Sequence, residues 1–185
     1  VFRNPIFLVA GAHTPWNNAK EFVEDAKKRP GQIKFGASPQ GGVPHLVMEF
    51  LGQAGGITVN TVPYQGGGPA MTALLGGHID VFSGHPADVT PQMGTGKIKL
   101  LGVYEAQRLK EFPDVPTMKE QGYDAQGAVW AGLAVPKGTP KDAQTKLHDA
   151  FKKALESQSV KDAWAKLSMP TSYMTGAQFL ELWKT

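Results

Sequence analysis

The chain has 185 residues, 41% hydrophobic and 19% charged, which is enough apolar sequence to bury a core and excludes intrinsic disorder. It contains no cysteine, which excludes a disulfide framework, thiol catalysis and cysteine-based zinc or iron–sulfur sites. The net charge of +3 divides as +2 over residues 1–104 and +1 over 105–185, so no basic tail points to nucleic acid.

Short apolar runs alternate with helical patterns. Ile6–Val9 reads as a buried strand. Thr14-Pro15 reads as an N-cap followed by proline at the first helical position, and Trp16, Ala19, Phe22, Val23 and Ala26 then form one apolar stripe up to Pro30-Gly31. Ile33–Ala37 predicts a second strand, and Ser38-Pro39-Gln40-Gly41-Gly42 a loop. Pro44 opens a helix with Leu46, Val47, Phe50 and Leu51 on one face. After Gly55-Gly56, β-branched residues predict a strand over Ile57–Val62. Pro63–Gly68 is a loop, Pro69–Leu75 a helix ended by Gly76-Gly77, Ile79–Phe82 a strand, Pro86–Met93 a helix and Lys97–Tyr104 a strand. This repeated strand–helix order predicts an α/β fold with a mostly parallel sheet.

The remainder reads differently. Phe112–Gly122 predicts a loop with a short helix, and Val129–Val135 a strand. Pro140–Ser157 predicts a long amphipathic helix with Ala143, Leu147, Ala150, Phe151 and Leu155 as its stripe. Val160–Leu167 and Gly176–Lys184 predict two more helices. Helices with few strands to cover, and an apolar run soon after Val1 with no initiator Met or leader pattern, read as a processed or truncated product. No stretch approaches the roughly 18 apolar residues of a membrane span.

Motifs for chemistry are few. His13, His45, His78, His85 and His148 show no metal-ligand spacing, and no Walker loop, GxGxxG or G-x-S-x-G elbow occurs. Ser83-Gly84-His85 sets Ser beside His, but adjacency in sequence does not make a nucleophile–base pair. Asp80 and Asp88 read as capping or surface carboxylates rather than an acid–base pair. No metal or cofactor is expected. Two Gly-rich loops, 38–43 and 63–69, instead lead from a strand into a helix. In an open α/β sheet that carboxyl edge is where ligands bind, and helix N-termini there favour anions. No Lys or Arg occurs between Lys34 and Lys97, so any anion there is held by amides and by Ser38, Gln40, Tyr64 and His45 rather than by a cation. Plain turn chemistry for the loops, and a packed or capping role for His45, are the structural alternatives.

At these residues the chain resembles the substrate-binding proteins of tripartite tricarboxylate transporters, the TctC or Bug family. The resemblance rests on Phe35–Leu46, a Ser/Gly-rich loop ending in His-Leu, and on Val62-Pro63-Tyr64-Gln65-Gly66. It continues through Leu74-Leu75-Gly76-Gly77-His78-Ile79-Asp80, Gly96-Lys97, Arg108, Pro113–Thr117, Glu120, Gly122 and Trp130–Pro140. It runs from about residue 6 to the end of the chain. Against the family pattern, Pro39 replaces a usual Gly, Gly42 a usual Ser and Gln65 a usual Lys. Pro39 removes an N–H and Gly42 a hydroxyl, so position 42 is left with its amide alone.

The resemblance implies a type II periplasmic binding protein whose two α/β lobes close on a ligand. It implies a hinge segment at residues 1–7, a second lobe at 8–125, and a segment at 126–185 returning to a first lobe that is otherwise absent. It implies a ligand site at Ser38, Gln40, Gly41, Gly42, His45, Pro63, Tyr64, Gln65 and Gly66, taking a small di- or tricarboxylate or related organic acid. Trp130 is placed at the hinge or cleft, with a packed core aromatic as the alternative. The implied protein is a periplasmic, monomeric, non-enzymatic binder that neither crosses the membrane nor binds nucleic acid, and that hands its ligand to membrane transporter subunits. The alternatives are a ligand-sensing partner of a receptor and an enzyme on a similar two-lobed scaffold.

Overall fold

Two short strands, β1 (Phe2–Asn4) and β2 (Phe7–Gly11), open the chain, and β2 is buried along its whole length. The computed structural model describes residues 2–166 and 173–184. Residues 5–129 pack as one unit, and the segments before and after them make up a second.

The first helix, α1, spans Ala19–Lys28 and starts later than Thr14-Pro15 predicts. Thr14 Oγ1 donates instead to Gly11 O (2.8 Å) and closes a turn. Asn18 is the cap: its Oδ1 accepts the Glu21 N–H (2.9 Å), and the Glu21 carboxylate in return accepts from Asn17 N (2.7 Å) and Asn18 Nδ2 (2.9 Å). The predicted stripe survives the shift, with Trp16, Ala19, Phe22, Val23 and Ala26 all buried. One α1 N–H that the helix cannot satisfy, that of Ala19, donates to Gln121 Oε1 (2.7 Å).

The rest of the unit follows in strand–helix order: β3 (Lys34–Ala37), α2 (Val43–Gly55), β4 (Asn60–Pro63), α3 (Gly67–Leu75), β5 (Val81–Gly84), α4 (Pro86–Val89) and β6 (Ile98–Val103). A 3-10 turn over Thr90–Gln92 takes the second half of the helix predicted for Pro86–Met93. The sheet order is β4-β3-β5-β2-β6. β3 pairs in parallel with β4 and β5, whereas β2 is antiparallel to both β5 and β6. The sheet is therefore mixed: β3, β4, β5 and β6 share one direction, and β2 runs against them. The unit remains α/β, but β2-α1-β3 is not a parallel crossover.

Each face of the sheet carries its own core. Phe35, Ala37 and Val81 pack with α1 and α2 on one face; Phe7, Val9, Phe82 and Val103 pack with α3, Phe112 and Val115 on the other. The α2 stripe differs from the predicted one. Pro44, Val47, Met48 and Leu51 are buried, while Leu46 and Phe50 are 43% and 44% exposed. The apolar run allowed two registers, and only the one one residue out faces the sheet.

No helix forms over Phe112–Gly122; that segment turns and then bridges to β6 at Val103–Thr117. Its polar residues form a clamp. Glu120 accepts from Arg108 Nε (3.0 Å) and Thr117 N (2.7 Å), and Arg108 also donates to Pro113 O (3.0 Å). The Thr117 amide and then Arg108 hold the Glu120 carboxyl below the usual range. Arg108, Pro113, Thr117 and Glu120, which carried part of the resemblance, thus serve the fold.

A second polar cluster gives a pH prediction. Asp25 accepts from Arg29 Nη2 (2.5 Å) and Trp16 Nε1 (2.8 Å), and the guanidinium lies 5.8 Å from the Trp16 ring centre. Arg29 chiefly, with Trp16, holds the Asp25 carboxyl below its ordinary range against the opposing effect of burial. A depressed carboxylate stabilises the fold above its unfolded value, and that contribution is lost as pH falls through the folded value. Urea midpoints of the wild type are expected to drop more steeply below the ordinary carboxylate range than those of Asp25→Asn. Parallel curves would remove Asp25 from the acid response.

The other unit, the chain before Pro5 and from Trp130 on, holds β1 paired with β7 (Val129–Ala131, its first residue being the last of the larger unit), and helices α5 (Lys141–Glu156), α6 (Gln158–Lys166) and α7 (Gly176–Lys184). β7 ends at Ala131 rather than Val135. Leu167, the predicted end of α6, lies outside the described residues. No side chain of α5 or α6 is buried. The α5 residues Leu147, Phe151 and Leu155 line a cavity of 710 Å³ with Leu133, Val135 and Phe179. Trp130, half-buried, meets Phe179 edge-on at 5.0 Å between ring centres.

Candidate functional site

Because β3, β4, β5 and β6 run in one direction, their carboxyl ends, Ala37, Pro63, Gly84 and Val103, share one edge of the sheet. β2 starts at that edge, with Phe7 opposite both Gly84 and Val103. Ser38 follows Ala37, whose ladder partner is Pro63, and the Tyr64 N–H donates to Ala37 O (2.8 Å). The 38–42 and 63–66 loops are therefore neighbours. They diverge to opposite faces, since α2 packs with Phe35 and α3 with Phe82.

Ser38 is buried at 6% exposure, and its hydroxyl has no hydrogen-bond partner among the described residues. The Ser38–Pro39 peptide is cis. Gln40 and Gly41 are exposed, and Gly41 has φ +78°, a conformation suited to glycine. In this conformation the loop amides serve the loop itself: Gly41 N donates to His45 Nδ1 (3.1 Å), and Gly42 N to Pro39 O (3.1 Å). The Gly42 amide, which the sequence reading left to meet a ligand, is engaged within the loop in this conformation. Pro39 and Gly42 are also coupled sterically. A Cβ at position 42 would stand 3.0 Å from Pro39 Cγ and 3.2 Å from Pro39 O, so the ring takes space that a residue with a side chain at 42 needs.

The two helix N-termini differ. α2 starts behind Gly42 with no acidic residue in its first turn. At α3 the Asp88 carboxylate lies against Gly67, so close that any Cβ there would collide with it. The positive end of α3 already faces a carboxylate of the chain, whereas α2 has no acidic residue in its first turn. Tyr64 is half-buried against Gly36, Pro63 and Gln65 are exposed, and Gly66 is the α3 N-cap with φ +134°. Ser38, Gln40, Gly41, Gly42 and His45 thus gather at the α2 end, and Pro63, Tyr64, Gln65 and Gly66 beside them at the α3 end.

Three further residues reach this edge. The sequence ended a strand at Phe82, but β5 continues to Gly84 and carries Ser83 and His85 to the edge. His85 Nδ1 lies 3.0 Å from Pro5 O, and the His85 backbone N–H donates to Asp88 Oδ2 (2.9 Å), so Asp88 completes a capping box. After β6, Tyr104 is wholly buried with its hydroxyl 3.9 Å from Met48 Sδ, and burial pushes its ionisation well above the usual range. Gly127 N donates to Tyr104 O (2.8 Å), so the chain leaves the unit beside the same edge. Among the described residues no group of His, Asp and Glu could hold a metal ion, and no helix is long and apolar enough to cross a membrane.

A family model described as the tripartite tricarboxylate transporter family receptor matches residues 1–184. The chain belongs to this family, TctC. Among curated relatives, it is 36% identical to the "UPF0065 protein in gbd 5'region" of Cupriavidus necator, over 94% of this chain and 53% of that one. It is 30% identical to "Protein BugT" of Bordetella pertussis, over 87% of this chain and 50% of that one. It spans about half the length of these relatives. Among solved structures, a TctC solute binding protein from Polaromonas superposes with TM-score 0.81 at 36% identity, over 96% of this chain and 61% of that one. The periplasmic binding protein BugD superposes with TM-score 0.78 at 33% identity, over 91% and 57%. MatC from Rhodopseudomonas palustris, solved with bound malate, gives TM-score 0.78 at 27% identity, over 91% and 57%. The fold is that of the TctC and Bug binding proteins.

Proposed function

We propose that this TctC chain supplies one side of a periplasmic solute-binding site that captures a small di- or tricarboxylate for a membrane transporter. The observation that carries the reading is the Ser38 hydroxyl, without a hydrogen-bond partner among the described residues, at the carboxyl end of β3 and next to a helix whose first turn holds no acidic residue. The family and the malate-bound MatC supply the chemical class of ligand. Capture by hydroxyl, helix end and loop dipoles, with no Lys or Arg between residues 34 and 97, suits reversible binding of a carboxylate. Residues 5–129 stand for the second lobe, and the remainder for the part of the chain that returns to the first. The reading is non-enzymatic and monomeric, and closure of two lobes on the ligand commits it for delivery.

Calorimetry on the full-length protein with malate, succinate, citrate and benzoate, against glycerol and putrescine, tests this. Binding confined to the acids supports carboxylate capture; binding only to the neutral or cationic solutes sinks it. Ser38→Ala is expected to weaken binding of the best acid by about 0.5–1.5 kcal/mol, the net worth of one ordinary hydrogen bond. An unchanged affinity would remove Ser38 from the site.

A further inference from the structure

His45 stands one turn into α2 with every polar position of its ring accounted for. Nδ1 accepts the Gly41 N–H at 3.1 Å, and Nε2 lies 3.3 Å from Glu49 Oε1. A ring nitrogen that accepts an amide proton carries no proton itself, so this geometry fixes the neutral tautomer with hydrogen on Nε2, donated to Glu49. The flat face of the ring is stacked 6.2 Å from Phe35, at 19° between planes. Of the described groups against the imidazole, Phe35 from β3, Gly41 from the loop and Glu49 from its own helix, Glu49 is the ionisable one.

The Gly41–His45 bond spans the bend of the 38–42 loop. Gly41 sits in the left-handed region and Gly42 turns back on Pro39 O, so the loop holds its shape through two short internal bonds. The other edge histidine, His85, has a different partner. His85 Nδ1 lies 3.0 Å from the Pro5 carbonyl oxygen, across the edge rather than along its own loop. A protonated His45 would point an N–H at the Gly41 N–H.

We propose that His45 is a positioning residue: as a neutral acceptor for Gly41 it holds the 38–42 loop in the shape that presents Ser38, and protonation of the ring releases that loop and weakens carboxylate capture. This rests on carboxylate capture at Ser38 as proposed above. The sign is the discriminating feature. A histidine that met the carboxylate directly would bind it more tightly once charged; one that works through Gly41 binds it less tightly.

The test measures affinity for malate by calorimetry on the full-length protein between pH 8 and pH 5.5, for the wild type, His45→Ala and His45→Asn. Asn places an amide oxygen near the Nδ1 position that accepts a hydrogen bond and does not titrate in this range. Dividing wild-type affinity by that of His45→Asn at each pH cancels the titration of malate itself. That ratio is expected to fall roughly three- to tenfold on acidification, the worth of one hydrogen bond. His45→Ala is expected to bind weakly at both ends of the range, with His45→Asn recovering most of the loss at pH 8. A ratio that rises or stays flat overturns the proposal. In parallel, nitrogen and amide shifts of the ligand-free protein are followed by NMR. Neutral His45 protonated on Nε2, with the Gly41 amide shifting along the His45 titration, supports the proposal. An Nδ1–H tautomer, or a Gly41 amide that ignores the titration, overturns it. If malate binds at no pH, carboxylate capture is what fails, and the NMR result still decides the hydrogen bond.

Discussion

Phe35→Ala is expected to lower the unfolding free energy by about 3–5 kcal/mol, the range for truncating a fully buried aromatic. Phe35 is wholly buried in β3, among Val47, Met48, Leu51 and Val81, and it underlies the His45 ring. Removing it takes away its own burial and leaves a cavity between sheet and α2 that a paired central strand cannot collapse to fill. The matched control is Phe50→Ala. Phe50 is on the outward side of α2, and its truncation is expected to cost within about 0.5 kcal/mol. Urea unfolding of the two variants measures this; equal losses would contradict the side of α2 that faces the sheet.

Gln121→Met is expected to cost about 2–4 kcal/mol, although Met fills nearly the same space. Gln121 is buried and joins two elements: its Oε1 accepts the Ala19 N–H (2.7 Å), and its Nε2 donates to Leu101 O (3.0 Å). The thioether can do neither, so a helix-end amide and a strand carbonyl lose their partner in a region closed to water. Gln121→Glu separates the two bonds, since a carboxylate still accepts from Ala19 but repels the Leu101 carbonyl. Urea midpoints are expected to place both variants below the wild type. Full stability of the Met variant would show that water or a shifted backbone satisfies these groups.

The sequence pattern reached the strand–helix order and most of the core because apolar period and Gly/Pro punctuation report burial directly. It could not report strand direction. Ile6–Val9 has the same composition whether β2 runs with or against β5, and only the ladder Phe7–Gly84 decides it. Caps were harder than stripes. Thr14-Pro15 has the right types, but Asn18 with Glu21 three residues on carries the reciprocal bonds, a spacing that was present in the sequence. The α2 stripe slipped because Leu46, Val47, Met48, Phe50 and Leu51 offer two apolar faces to one sheet.

At the candidate site, the two loops were legible as Gly-rich strand–helix junctions, and their meeting at one edge follows from the parallel pairing of β3 with β4. Their inequality was not legible. Asp88 is 21 residues from Gly67, and its contact with the α3 N-terminus depends on where β5 ends. The internal use of the Gly41 and Gly42 amides was equally hidden, since a glycine run states freedom of backbone and not the direction of its N–H groups. His85 was weighed only as a neighbour of Ser83; a strand that ends two residues later than predicted carries it to the edge.

The most direct measurement is a crystal structure of the full-length protein grown with malate. The expected result is a carboxylate within hydrogen-bond distance of Ser38 Oγ, at the N-terminus of α2 and beside Tyr64, with the Gly41–His45 bond intact. A malate bound away from the carboxyl edge of β3 and β4, with Ser38 untouched, would contradict it.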